Sequence, residues 1–353
     1  MATFNASLFR ESAGALADEL QGESEHASAI ASILAEVRPD IVLINEFDVD
    51  SDAAEAFHER FLEPAGSELS EYRVFASNTG VHSGLDLDQN GSVDDEPGSR
   101  NYGGDAWGFG EFEGQYGFVV FSRYPIGEVR TFQELKWSSM PEHVIPTDFY
   151  PPELVSALRL SSKNHVDVEV LTPDGAIHLL ASHPTPPVFD GPEDRNGRRN
   201  HDEVRFWVDY VDPGLNWMAD DAEVEGGMPD GAHFVIVGDL NVDPMDGDRR
   251  EAIRALLTSE YTRDSSPQSA GAAEAAELQG GANANHTGPS DQDTADFNDN
   301  GVGNLRVDYA TPSRTLLMGE RGVYWPTTDD ASENHLYSDH RLVWVDVQIP
   351  ASD

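Results

Sequence analysis

Five short polar clusters close apolar runs in this sequence, and together they hold the side chains that hydrolysis of a charged ester would need. They are Asn5 in Thr-Phe-Asn-Ala-Ser, Glu46 after Ile-Val-Leu-Ile-Asn, Ser182-His183-Pro184, Gly238-Asp239-Leu240-Asn241, and Arg306-Val307-Asp308-Tyr309 paired with Ser338-Asp339-His340. Breaking a phosphate ester takes neutralised charge, an activated water and a protonated leaving group. Glu46 and Asp339 offer hard oxygen ligands with Asn5 as a neutral companion, a set that suits Mg2+ or Mn2+ retaining several waters. Asp239 and Asn241, two apart on an extended segment, point to one side and reach one phosphate region. Singly, each cluster has a plainer explanation. Glu46 could be a solvated strand end, Asp239 and Asn241 a turn, His340 a core histidine bonded to Asp339, and His183 a loop residue. The ordered set is what favours chemistry.

The elements that must position these groups follow from periodicity. Thr3 to Leu8 reads as a strand, and Ile30, Ile33, Leu34 and Val37 share one face of a helix over 25–38 that Pro39 stops. Asp40 to Phe47 is a near-continuous apolar strand of the doubly buried kind. Further strands are expected at 73–76, 116–122, 176–182, 233–238, 307–311 and 341–349. Helices are expected at 199–211 and 250–257. Each cluster then lies where a strand hands over to a loop, the place where α/β folds build sites. The stretch 77–115, rich in Gly, Asp and Asn, reads as a long insertion whose Tyr102, Trp107 and Phe109 could form a lid or an aromatic platform. Residues 264–304 read as a low-complexity functional loop. No linker divides the chain, so one domain with two insertions is expected.

Charge sets the conditions under which this chain folds. It has 353 residues with 65 acidic and 22 basic side chains, a formal net charge of −43. Disorder is one reading of such a balance, but runs such as Phe118-Val-Val-Phe121 and Phe234-Val-Ile-Val237 argue for a core under a carboxylate shell. At molar salt the Debye length falls to about 3 Å and screens most self-repulsion, so adaptation to high salt is expected. Cysteine is absent, which excludes disulfides and cysteine–zinc sites. No apolar run is long enough for a membrane span. With no signal peptide visible, a cytoplasmic monomer is expected, or an extracellular one if a leader has been left out.

Asn5, the Glu46 strand end, Tyr116-Gly-Phe-Val-Val-Phe-Ser-Arg123, Ser-His183-Pro, Gly-Asp239-Leu-Asn241, Arg-Val-Asp308-Tyr and Ser-Asp339-His340 occur in the order of the endonuclease/exonuclease/phosphatase superfamily. The chain resembles that family from residue 5 to residue 340. The resemblance implies a four-layer α/β sandwich, two mixed β-sheets packed face to face with helices outside. It also implies that Asp239 and Asn241 orient the attacking water, hold the scissile phosphate or hold a second ion. By the same resemblance Asp308 polarises His340, which acts as general base or as a phosphate-binding cation. His183 would protonate the leaving group or bind the transition state, with no orienting acid identifiable. Ser7 is a departure, since some relatives that cut nucleic acids carry an acid there.

Arg195, Arg198 and Arg199 fall within five positions, and arginine's planar fork suits phosphate. Arg195, Arg199 and Asn200 are therefore candidate phosphate binders. The plainer alternative is a helix start tied by salt bridges, with Asn200 and Glu203 in a capping arrangement. Asp86-Leu-Asp88-Gln-Asn90-Gly91 matches the first half of an EF-hand loop. Position twelve is Pro97, so Ca2+ in the 86–96 loop would need Asp94, Asp95 or Glu96 to close it. Asp296-Phe-Asn298-Asp-Asn300-Gly301 repeats the opening without a good closing acid. The expected function is a metal-dependent phosphoester hydrolase, foremost a phosphodiesterase or nuclease acting on nucleic acid or a small phosphorylated molecule. The alternatives are a phosphomonoesterase and, further off, a calcium-binding module without catalysis. No basic stripe is apparent beyond the arginines, which weakens the nuclease case.

Overall fold

The structure, a computed structural model, describes residues 1–330 and 334–351. Its first half runs β1 (Ala2–Asn5), α1 (Ala15–Leu20), α2 (Glu25–Val37), β2 (Ile41–Asn45), α3 (Ser51–Phe57), β3 (Glu71–Val74), α4 (Arg100–Gly104), β4 (Phe118–Ser122), β5 (Ile126–Thr131) and α5 (Pro152–Ala157). The second half adds β6 (His165–Thr172), β7 (Gly175–Ser182), α6 (Arg195–Tyr210), β8 (Phe234–Asp239), α7 (Glu251–Thr258) and α8 (Ala270–Gln279). After these come β9 (Ala295–Asp296), β10 (Asn304–Leu305), β11 (Asp308–Pro312), β12 (Leu317–Val323) and β13 (Val343–Gln348).

Two mixed sheets form, one ordered β12-β13-β1-β2-β4-β3 and the other β11-β8-β7-β6-β5. In the first, β1 and β2 are parallel; in the second, β7 and β8 are parallel, and the remaining pairings are antiparallel. Alternation along the strands builds the layers. Ile41, Leu43, Phe118 and Val120 of one sheet pack on Val166, Val168, Leu179, Val235 and Val237 of the other. The opposite faces bury Val42, Ile44 and Phe121 under α1, α2 and α3, and Leu180 and Ile236 under α6 and α7. This is the expected four-layer α/β sandwich. Among the described residues no helix is long and apolar enough to cross a membrane.

Helix α2 shows how locally the boundaries are set. The Ser24 side chain accepts from the Ala27 N–H at its start, and Arg38 ends it in the left-handed region just before Pro39. Two expectations need correction. Helix α6 begins at Arg195, four residues before the expected start, and the Asp190 carboxylate accepts the Asn196 N–H of its first turn at 2.7 Å. Segment 264–304 is not structureless, since it forms α8, β9 and β10. Strands β5, β6 and β12 lie outside the expected set. The first and last are half-exposed edges without a clean period, whereas β6 alternates and sends Val166, Val168 and Val170 inward.

Candidate active site

The two parallel pairs carry their C-terminal ends to one place. Asn5 stands opposite Asn45 across β1 and β2, and Asp308 at the start of β11 stands opposite Asp239 at the end of β8. Gly238 is required here. A Cβ at this residue would lie 2.1 Å from the Ser182 carbonyl oxygen, so only glycine lets β8 approach β7 beside His183. Glu46 and Asn241, which follow β2 and β8, both have left-handed backbones, φ 55° and 54°. Such strain persists where surrounding structure enforces it, commonly at functional sites.

Asp239 is the hub. Its Oδ2 accepts from Asn5 Nδ2 at 3.1 Å and lies 3.4 Å from His183 Nε2 and 3.6 Å from His340 Nε2. Its Oδ1 accepts the Asn241 N–H at 2.9 Å. Burial would push this carboxyl up, but His340, His183 and Asn5 outweigh burial and hold it below the usual carboxylate range. His340 Nδ1 donates to Asp308 Oδ2 at 2.9 Å, the pairing the resemblance implied. Burial disfavours the imidazolium, yet Asp308 and Asp239 raise His340 to about 10. Asp308 itself is raised, by burial first and by the charge of Asp239. The resting state therefore places the proton on His340, between two carboxylates. His183 moves the other way, lowered by burial and by Lys163. The acid partner that sequence reading could not assign to His183 is Asp239.

Thr294 stands against the Asp308–His340 pair without any signal in the sequence. Its hydroxyl donates to Asp308 Oδ2 at 2.8 Å and accepts the N–H groups of Val307 and Asp308. It lies in the low-complexity segment, whose end zips onto the His340 loop through Asp296 N–H to Asp339 O and Arg341 N–H to Thr294 O. Next to it, Asp293 is buried, and its carboxyl is pushed up to about 8 by burial and then by Asp243, Asp246 and Asp291. In the unfolded chain it titrates near 4. Between those values the folded state holds a proton that the unfolded state has released, so stability falls as pH rises through this window. Melting at fixed molar salt should show that decline from pH 5 to pH 8, and Asp293→Asn should flatten it.

The expected metal ligands divide. Glu46 and Asp339 line one cavity of about 1480 Å3 together with His183, Asp239 and His340. Among the described residues Glu46 makes no hydrogen bond or ion pair, and the Asp339 side chain is 55% exposed with Oδ1 4.0 Å from His340 Nε2. Two uncommitted hard oxygens beside a buried Asp–His cluster fit a hard divalent cation. Asn5 is fully buried, and its side-chain Oδ1 accepts the Ser7 N–H. It orients Asp239 from behind. Asn241 donates to the Pro184 carbonyl oxygen at 3.1 Å and so fixes the His183 turn.

Helix α6 corrects the phosphate-binding expectation. Arg199 donates from Nε and Nη2 to the carbonyls of Leu160, Trp107, Arg159 and Ser161. Asn200 spends both amide hydrogens on Thr185 and Leu240. Glu203, fully buried, accepts the N–H groups of Ser162 and Thr185 and caps nothing. These residues knit three site loops together, because buried backbone groups must find partners. Arg195 pairs with Glu193 and stacks over Phe149, though both Arg195 and Arg199 touch the cavity wall. The cation the helix positions is Lys163, 7% exposed and on that wall beside Glu46 and Asp239. Its sequence signal is rarity, since the chain has two lysines, Lys136 and Lys163.

Of Tyr102, Trp107 and Phe109, the aromatics expected to form a lid or platform, Phe109 reaches the cavity. Tyr102 is buried and donates to the Gly80 carbonyl, and the Trp107 ring lies under Arg159 and Lys136. In the 86–96 loop the carboxylates of Asp86, Asp88 and Asp105 converge within 4.8 Å of one another. Asn90 turns its amide nitrogen to Asp88 and its oxygen to Ser92, so Asp105, from eleven residues beyond Asp94, takes the third place.

A four-layer sandwich with an Asp–His–Asp cluster at its parallel strand ends is a recognisable architecture. The model of the Endonuclease/Exonuclease/phosphatase family matches residues 2–340. The chain belongs to that family, whose members hydrolyse phosphoesters. Among solved structures it is similar to an endonuclease/exonuclease/phosphatase from Beutenbergia cavernae DSM 12333, at 17% identity over 99% of this chain and 70% of that one, with a TM-score of 0.55. A family protein from Leptotrichia buccalis C-1013-b is 15% identical over 99% and 98%, TM-score 0.51. The mannosyl-6-phosphatase of Bacteroides thetaiotaomicron VPI-5482 is 14% identical over 99% and 98%, TM-score 0.50. Such identities show a shared fold. Comparison with curated proteins gave no match.

Proposed function

We propose that the protein is a divalent-metal-dependent phosphoester hydrolase acting on phosphodiesters of compact organic molecules. The observation that carries this reading is Asp239, ionised and buried, with two imidazole Nε2 atoms within 3.6 Å at the floor of a cavity that also holds Glu46 and Asp339. A divalent cation held by Glu46 and Asp339 would supply Lewis-acid neutralisation of the phosphoryl oxygens. Asp239, fixed by Asn5 and the Asn241 N–H, takes the proton of the attacking water as its oxygen bonds to phosphorus. The bond from phosphorus to the leaving oxygen breaks, and that oxygen takes the proton from His340 Nε2. Loss of that charge makes Asp239 more basic for as long as His340 is neutral. Transfer across the 3.6 Å from Asp239 to His340 then restores the resting state. Neutral His183, with Nε2 facing Asp239 at 3.4 Å, helps to hold that carboxylate in place.

Loops wall the cavity. Its rim includes Phe109, Val188, Phe189 and Phe297, and nucleic-acid grooves are usually basic. The same enclosure supports the second reading, a phosphomonoesterase. The test is hydrolysis at about 2 to 3 M salt, where surface repulsion is screened. Bis-p-nitrophenyl phosphate and p-nitrophenyl phosphate are compared with Mg2+, Mn2+ or Ca2+ added in turn. Faster diester cleavage, abolished by EDTA, is expected. Faster monoester cleavage would favour the second reading, and no cleavage of either would overturn both.

A further inference from the structure

We infer that Lys163 is the cation that receives the scissile phosphoryl group, donating from Nζ to one of its non-bridging oxygens. This rests on the phosphoester-hydrolase reading and adds to it a residue outside the strand-end clusters. Lys163 is 7% exposed, lines the catalytic cavity, and makes no side-chain hydrogen bond or ion pair among the described residues. An unpaired ammonium this deep is costly. Glu203, Glu46 and Asp239 attract this charge from nearby, but none of them lies within ion-pair distance of it among the described residues. Glu203 is committed to two backbone N–H groups, and Asp239 to Asn5, Asn241 and the two histidines.

The backbone around Lys163 is built to hold it there. Ser162 N–H is anchored on Glu203, and the Lys163 carbonyl accepts the Asn78 N–H at 2.8 Å. Gly108 packs so closely that a Cβ would sit 1.7 Å from the Ser162 oxygen. A chain that uses arginine at all but two of its 22 basic positions keeps one of its two lysines at this point. The difference in chemistry explains why. An ammonium on a flexible stem is a point charge with three rotatable donors, and it can follow a phosphoryl group as it inverts. The guanidiniums of Arg195 and Arg199 are tied to Glu193 and to backbone carbonyls. What completes Lys163 is an incoming oxyanion.

The two-lysine composition makes the test direct. Protein labelled with 13C at lysine Cε should show two side-chain signals, and the one missing in Lys163→Met is assigned to Lys163. Titration with inorganic phosphate, metal-free and at constant pH and molar KCl, should shift that signal saturably and leave Lys136 in place. For the better nitrophenyl ester, Lys163→Met should lose about 10²- to 10³-fold in kcat, the range for removing one oxyanion donor. Lys163→Arg should recover part of that loss. The thermal midpoint of Lys163→Met should not fall, since an unpaired buried charge is removed; a folded variant with undiminished turnover overturns the inference. An unmoved Lys163 signal at saturating phosphate also counts against it. A phosphate-shifted Lys163 in a protein that cleaves neither ester would keep the anion site and overturn the hydrolase reading instead.

Discussion

Asp239→Asn should lose about 10²- to 10⁴-fold in turnover, the range for removing a positioned proton acceptor, while its circular dichroism in molar salt stays that of the native chain. The fold should survive because asparagine is isosteric and keeps an oxygen for the Asn241 N–H, which the native carboxylate binds at 2.9 Å. Chemistry should not survive, because the amide neither takes a proton from water nor returns one to His340. His340→Ala should fail comparably by removing the other half of the relay. Groups that act as a unit are not additive. Asp239→Asn combined with His340→Ala should therefore be little worse than either single variant. A double variant whose loss is the product of the two would show independent actions, and wild-type-like turnover by either single variant would sink the site.

Withdrawal of salt should unfold the chain. The 65 carboxylates face 22 basic side chains, and many of those cations are already committed: Arg10 to Glu19, Arg123 to Asp40 and Glu68, Arg130 to Asp220, Arg306 to Asp264, Arg341 to Asp296. The remaining acids repel one another across the surface. The Debye length grows from about 3 Å at 1 M to about 10 Å at 0.1 M, so each carboxylate then meets many more neighbours. Exposed ion pairs contribute little in compensation. Far-UV circular dichroism during dialysis from about 3 M KCl to about 0.1 M, a range set by that screening, should show cooperative loss of structure. An unchanged spectrum at low salt would refute adaptation to high salt.

Much of the site was legible along the chain because it depends on local rules. A polar side chain that closes an apolar run stands where a strand hands over to a loop. The apolar runs before Glu46 and Asp239 therefore mark those residues before any fold is known, and Asp339-His340 stands just ahead of such a run. The family order of the motifs then makes Asp308 the partner of His340, and the 2.9 Å contact bears that pairing out. Helix α2 and strand β2 were equally readable, since period and Pro39 are properties of neighbouring residues.

Other assignments depended on contacts between residues far apart in sequence, which leave no period to read. Asn200 and Glu203 look like a helix start, yet α6 began earlier and turned both inward to the loops at 162, 185 and 240. Thr294 sits in a stretch whose composition suggests a solvated loop, and pairing at Ala295 and His340 brought it under Asp308. Asp105 replaced Asn90 beside Asp86 and Asp88 only once insertion 77–115 folded back on itself. Lys163 carries no motif at all. By itself, then, the sequence determined which side chains stand at strand ends and the order in which they come. The tertiary structure decided which donors are spent on backbone carbonyls and which still face the cavity, because buried polar groups must be satisfied and that pairing is set by three-dimensional neighbours.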